Sequence, residues 1–361
     1  MLALEPRPEP SRVLALASPV LALGLTVAIG LALFAVLDKD PWRGLEMFFY
    51  EPLKNARALS ELSIKAAPLL LTGLGLSLCF RAGIWNIGAE GQFILGSIGA
   101  TGVALLARPD SSGSYVVLVL LAGTACGALW AALTAWLRDR FNASEILVSL
   151  MLVYVAEQVL SYLVHGPWKD PHGYNFPQTI TFLAQTRVPR LAAGMRANFG
   201  VLLALLSAVL FWLFMYHTLA GYKLEVAGLA PRAARYAGFS SRSALWTTLL
   251  LSGAMAGLAG ALEVAGPVGQ LTTQVPLGYG FAAIIVAFVG RLDPLGVTLS
   301  SILMSMFYIG GELSQSRLGL PKSITGVFQG LLLFSLLSCD ALINNRLRWV
   351  RPRRPVAGSA P

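Results

Sequence analysis

Long apolar runs separated by short polar breaks dominate the chain. They cover residues 13–37, 62–80, 90–107, 115–137, 144–164, 198–216, 244–265, 279–290, 296–313 and 323–343. A helix crosses a bilayer with ~20 mostly apolar residues. Most of the runs approach that length, whereas 279–290 is too short for a full crossing and reads as a half-helix. The pattern predicts an all-α polytopic membrane protein of about ten transmembrane helices. A second interruption lies at 81–92, where RAGIWNIGAEGQ stands between two apolar runs. It is polar, glycine-rich and helix-breaking. Bilayers tolerate non-helical backbone and carboxylates only where protein or a water-filled cavity surrounds them. A broken helix near 83–92 is therefore expected, and a transport pathway is first sought there.

Composition supports this class. The chain is 56% hydrophobic and 12% charged, with a mean hydropathy of +0.67. A soluble domain carries about 25% charged residues, so this sequence cannot cover a soluble surface. The net charge of +9 does not point to nucleic acid. Much of it sits in a tail holding Arg346, Arg348, Arg351, Arg353 and Arg354, directly after an apolar run. Lysine and arginine excess marks the cytoplasmic flank of a membrane segment. With a cytoplasmic N-terminus, ten crossings return this tail to the cytoplasm. Arg81, Arg138, Arg140, Lys223, Arg232, Arg235, Arg242 and Arg291 then fall on the same side. The organisation read from this is a cytoplasmic tail at 1–12, one transmembrane domain at 13–343 and a basic cytoplasmic tail at 344–361.

Arg7 and Arg12 precede a first run longer than the ~7–15-residue apolar core of a signal peptide, so this run reads as a retained helix. The proline-rich segment 165–197 is too polar to span and reads as an extracytoplasmic cap. Cys79, Cys126 and Cys339 lie in or beside apolar runs as packing residues, with no metal-ligand spacing. Glycine pairs Gly123–Gly127, Gly253–Gly257 and Gly326–Gly330 have the spacing that permits close helix approach.

The longest inner loop is 216–243. Pro231 can start a short helix and Gly238 can end it. Arg232 and Arg235 then share a face, with Tyr236 and Phe239 as anchors. Two uses remain open on these residues: docking into a soluble partner, or resting on anionic lipid.

No G-x-x-x-x-G-K-[ST] loop is present, so the chain does not bind ATP in that manner. No H-E-x-x-H occurs, and the three histidines, His165, His172 and His217, lie in loops or at run ends. A membrane enzyme is a weak reading. The carboxylates within runs, Glu90, Glu145, Glu157, Glu263 and Glu312, keep an ion-coupled transporter as an alternative.

Four segments together resemble one family. They are FRAGIWNIGAEGQ at 80–92, SEILVSLMLVYVA at 144–156, VAGLAPRAARYAGF at 226–239 and GYGFAAIIVAFVGRLDPLG at 278–296. In this order they are similar to segments of bacterial permeases from ATP-binding cassette (ABC) importers for nucleosides and simple sugars. The likeness covers roughly 60–340. Ser144 and Val153 stand where that family usually has asparagine, and Ala283 replaces a glycine. The resemblance implies a non-enzymatic permease, multi-pass in the bacterial cytoplasmic (inner) membrane. It would pair with a second homologous permease, a cytoplasmic ABC ATPase that holds ATP and Mg, and a periplasmic or lipid-anchored substrate-binding protein. It would bind no cofactor or metal itself. Glu225, Gly228, Pro231, Arg232, Arg235, Tyr236 and Gly238 would form the loop that couples to the ATPase. Asn86, Glu90, Gln92, Glu145, Tyr279 and Phe281 would line the pathway. Their amides and carboxylates suit ribose hydroxyls or base edges, and their rings suit stacking. Those polar groups could equally satisfy free backbone of a neighbouring helix. A nucleoside is the first expected substrate, ahead of ribose-like sugars and branched-chain amino acids.

Overall fold

The computed structural model describes residues 2–6, 12–192 and 194–349. Arg351, Arg353 and Arg354 of the basic tail lie outside them. In chain order the helices are α1 Arg12–Val36, α2 Pro41–Leu45, α3 Ala56–Arg81, α4 Ala89–Ala104, α5 Tyr115–Phe141, α6 Glu145–His165, α7 Phe199–His217, α8 Leu219–Leu229, α9 Pro231–Tyr236, α10 Ser241–Glu263, α11 Tyr279–Val289, α12 Pro294–Leu318 and α13 Ile324–Asn344. Among the described residues the regular structure is helical apart from a short antiparallel strand pair, Leu2–Pro6 with Asn345–Trp349, between the two tails.

Every predicted apolar run falls on a helix. Among the described residues, seven of these helices are long and apolar enough to cross a membrane. They are α1, α3, α5, α6, α7, α10 and α12. At 16 residues α4 is shorter, and α11 has only 11. The break before α4 is real: residues 82–88 are non-helical. Helix α3 begins at Ala56 rather than at 62, because Asn55 accepts a hydrogen bond from the Ala58 N–H and caps it.

The chain divides into two compact units, Met1–Glu46 with Ser314–Pro361, and Met47–Leu313. In the first, α1 packs along α13. The rings of Phe34 and Phe328 lie 5.6 Å apart, and Gly30 leaves the space that Phe328 fills.

The second unit is built around α3, which is buried along most of its length, as expected of a helix that is apolar on all sides. Beside it α4, α5 and α10 cross at glycines. A Cβ on Gly96 would lie 2.3 Å from the Gly257 carbonyl oxygen, and one on Gly127 would lie 2.4 Å from that of Gly253. Lipid supplies little hydrophobic drive between helices, so such backbone-close packing holds them together. Two of the three glycine pairs thus face each other. The third, Gly326–Gly330, meets open space. Segment 166–192 is largely irregular but ordered by hydrogen bonds: Thr179 N–H to Leu271 O, Phe182 N–H to Gly269 O and Val188 N–H to Ala265 O.

Gly96→Val is expected to destabilise the protein by about 1–3 kcal/mol or more through overpacking. Thermal unfolding of detergent-solubilised protein measures this. Gly330→Ala, with no neighbour to displace, is expected to leave the midpoint unchanged.

Candidate functional site

The break at 82–88 is held by amides. Asn86 and Gln92 pair reciprocally: Asn86 Nδ2 donates to Gln92 Oε1 at 3.0 Å, and Gln92 Nε2 donates to Asn86 Oδ1 at 3.1 Å. Asn86 Nδ2 also donates to Ser252 Oγ of α10, and its Oδ1 accepts the Gly88 N–H. Ser149 of α6 accepts the Ile87 N–H. Both amides are fully buried. The groups expected to read substrate therefore fix the turn between α3 and α4, with the donors of Asn86 already engaged.

Glu90 sits one turn further on, fully buried in the first turn of α4. Its Oε1 accepts the Gly278 N–H at 3.0 Å, and its Oε2 accepts the Gly280 N–H. These are free amides at the start of α11, which has no side-chain cap of its own. Gly280 is required there, since a Cβ would lie 2.2 Å from the Glu90 nitrogen. Tyr279 is buried beside this clasp, its ring 5.9 Å from Phe93. Phe281, by contrast, is 40% exposed.

The second segment singled out in the sequence is a packing face. Val153 is buried against Gly91, where a Cβ would lie 3.0 Å from the Val153 Cα. Glu145 pairs with Arg138 at 3.2 Å. It lines a cavity of about 360 Å³ together with Asp139, Arg235 and Arg242. The structure thus groups Glu145 with the loop around α9.

That loop is seated on the end of α3. A Cβ on Gly228 of α8 would lie 1.9 Å from the Arg81 carbonyl oxygen, so only glycine fits. The Arg81 guanidinium donates to Leu292 O and to the Tyr216 hydroxyl, and lies 3.8 Å from Glu225. Tyr216 in turn donates to Asp293. Beyond α8, Pro231 opens α9, and Gly238 follows it at φ +75°, as the sequence predicts. Arg232 and Arg235 are exposed, and Tyr236 is 96% exposed. Sequence reasoning missed Ser149, Ser252, Tyr216, Gly280 and Asp293. Ser149, Gly280 and Asp293 stand inside quoted segments and Tyr216 at the start of the inner loop, but nothing local names their partners.

Glu90→Gln is expected to cost about 1–3 kcal/mol, because one amide oxygen replaces two charged acceptors. Thermal unfolding of the purified variant measures this. An unchanged midpoint contradicts the clasp.

The comparisons agree with this architecture. The family model described as "Branched-chain amino acid transport system / permease component" matches residues 58–337. The glucose ABC transporter permease protein of Haloferax volcanii is 33% identical, over 94% of this chain and 91% of its own length. The guanosine ABC transporter permease protein of Bacillus subtilis is 28% identical, over 90% and 93%. The nucleoside ABC transporter permease protein of Lactococcus lactis is 26% identical, over 88% and 89%. No solved structure matches the chain. With its multiple apolar helices, the chain belongs to the branched-chain amino acid transport system permease family, and it is the membrane-spanning permease of an ABC importer.

Proposed function

We propose that this permease carries a nucleoside into the cell, driven by ATP hydrolysis on partner subunits. The observation that supports it most is α9. It is an exposed, arginine- and tyrosine-bearing helix, seated through α8 on the end of α3 where the 82–88 break begins. A push on α9 is delivered to the point where α3, α7, α8 and the α11–α12 turn share the Arg81 side chain. Arg and Tyr are the residues that most often dominate binding energy at interfaces. A cavity of about 370 Å³ lined by Lys223, Phe239 and Thr247 flanks the loop on one side, and the Glu145 cavity flanks it on the other. Glu225, Gly228, Pro231, Arg232, Arg235, Tyr236 and Gly238 form the coupling segment in this reading.

The partners are a cytoplasmic ABC ATPase with ATP and Mg, a second homologous permease, and a periplasmic or lipid-anchored binding protein. The chain itself holds no cofactor or metal. Helices α4, α11 and α13 complete ten membrane segments, with both termini on the cytoplasmic side of the bacterial inner membrane. Asn86, Glu90, Gln92 and Tyr279 shape the pathway from behind, Glu145 lies at its cytoplasmic end, and Phe281 faces it.

The nucleoside reading draws on the guanosine and nucleoside permeases among the relatives. A second reading, import of a glucose-type sugar, is favoured by the 33% identical archaeal relative.

Arg232→Glu with Arg235→Glu is expected to leave membrane insertion normal. In the reconstituted complex it is expected to reduce substrate-stimulated ATPase activity to the basal rate. Stimulation equal to that of the wild type contradicts the coupling role.

A further inference from the structure

Three arginines gather before α7, away from the coupling segment. With Asn198 and Gly266 they line a cavity of about 300 Å³: Arg187, Arg190 and Arg196. Arg196 is committed, since its Nη1 donates to both oxygens of Glu61, at 3.1 and 3.3 Å. Arg187 donates through Nε to the Phe182 carbonyl oxygen at 3.1 Å. Among the described residues, no carboxylate pairs with Arg187 or Arg190. The cavity therefore carries positive charge that the chain does not balance.

A buried donor stands at the same cavity. Asn198 is only 6% exposed. Its Oδ1 caps α7 by accepting the Gly200 N–H at 2.9 Å. Its Nδ2 donates to nothing among the described residues. Gly266 makes room for that nitrogen, because a Cβ there would lie 2.5 Å from it. A buried donor left unpaired is costly, and a helix start favours an anion. The cavity is thus built to receive an anionic oxygen from outside the chain.

An apolar groove adjoins it. The groove has a volume of about 280 Å³ and is lined by Leu120 of α5, Leu202 and Leu206 of α7, and Leu262 of α10. The two cavities share Val188, and Asn198 of the first is followed in the chain by Phe199 and Gly200 of the second. Leu202 and Leu206 are exposed along α7, so the groove opens on a face that lipid covers. The depth also fits. Helix α7 has 19 residues, so its start lies about 28 Å from its end beside Tyr216. The hydrocarbon core of a bilayer is about 30 Å thick. The arginines therefore stand at the membrane boundary opposite α8 and α9, at the level of headgroup phosphates.

A free phosphate would use the arginines and leave the groove empty, and so would a carboxylate of a partner protein. A choline or ethanolamine headgroup would bring its own cation to the arginines. We propose that the joined site holds one anionic phospholipid. Its phosphate lies on Arg187, Arg190 and the Asn198 amide, and an acyl chain lies in the groove between α5 and α7.

The test follows thermal unfolding of the full chain in detergent, titrated separately with dioleoylphosphatidylglycerol, dioleoylphosphatidylcholine and inorganic phosphate. Phosphatidylglycerol is expected to raise the midpoint saturably, and the other two to raise it little. Arg187→Gln with Arg190→Gln is expected to weaken the phosphatidylglycerol response about tenfold, as loss of charge-assisted hydrogen bonds does. Asn198→Asp keeps a capping oxygen but replaces the donor with a repelling charge. It is expected to leave the lipid-free midpoint unchanged and to weaken the lipid response by a similar factor. Arg108→Gln, at an exposed residue that lines neither cavity, is expected to change nothing. Equal responses to the two lipids, an undiminished response in the arginine variant, or an equal loss in Arg108→Gln overturns the assignment. Stabilisation by inorganic phosphate equal to that by phosphatidylglycerol overturns it in favour of a free-anion site.

Discussion

The Glu90 carboxylate is the constraint on which the rest of the second unit depends. Two short helices begin beside it, α4 and α11, and neither has a capping side chain at its own start. In an apolar surrounding, the free N–H groups of a helix start must be satisfied within the protein. Glu90 does this for Gly278 and Gly280. Its negative charge also stands at the positive end of both helix dipoles. The contact requires a missing side chain, which Gly280 provides. One carboxylate and one glycine, 190 positions apart, thus fix where two short helices start.

From that point the architecture runs to the surface in a few steps. The non-helical turn before α4 is locked by the Asn86–Gln92 pair and tied to α10 through Ser252. The other side of the turn is the end of α3, where Arg81 gathers Tyr216, Leu292 and Glu225. Phe80, Trp85 and Phe288 stack over the same place, with Phe80 and Phe288 centroids 5.0 Å apart. Helix α8 rests there at Gly228 and leads directly into the exposed α9. A movement of α9 therefore has a short, packed route to the irregular backbone.

Local signals in the sequence carry much of this fold. Apolar runs located the helices, the brevity of 279–290 gave a short α11, and Pro231 with Gly238 bounded α9. The Asn55 cap was not read, and it moves the start of α3 six residues earlier than the apolar run does. Partners far apart in the chain were not legible. Glu90, Asn86 and Gln92 looked like pathway groups because an intramembrane carboxylate or amide signals function. The bonds that occupy them come from residues up to 190 positions away. Glu145 was grouped with them by its place in a run, whereas Arg138 draws it to the loop around α9. Equal glycine spacings gave two close crossings and one open face, because spacing does not say what lies opposite.

The proposed drive, ATP hydrolysis on a partner subunit, is tested most directly by transport energetics. The purified chain is placed in proteoliposomes, alone under proton and sodium gradients, and then with its ATPase, companion permease and binding protein plus ATP. Uptake of labelled guanosine and D-glucose is followed in both. The expected result is uptake only in the complete, ATP-supplied complex. Gradient-driven uptake by the chain alone would contradict the account.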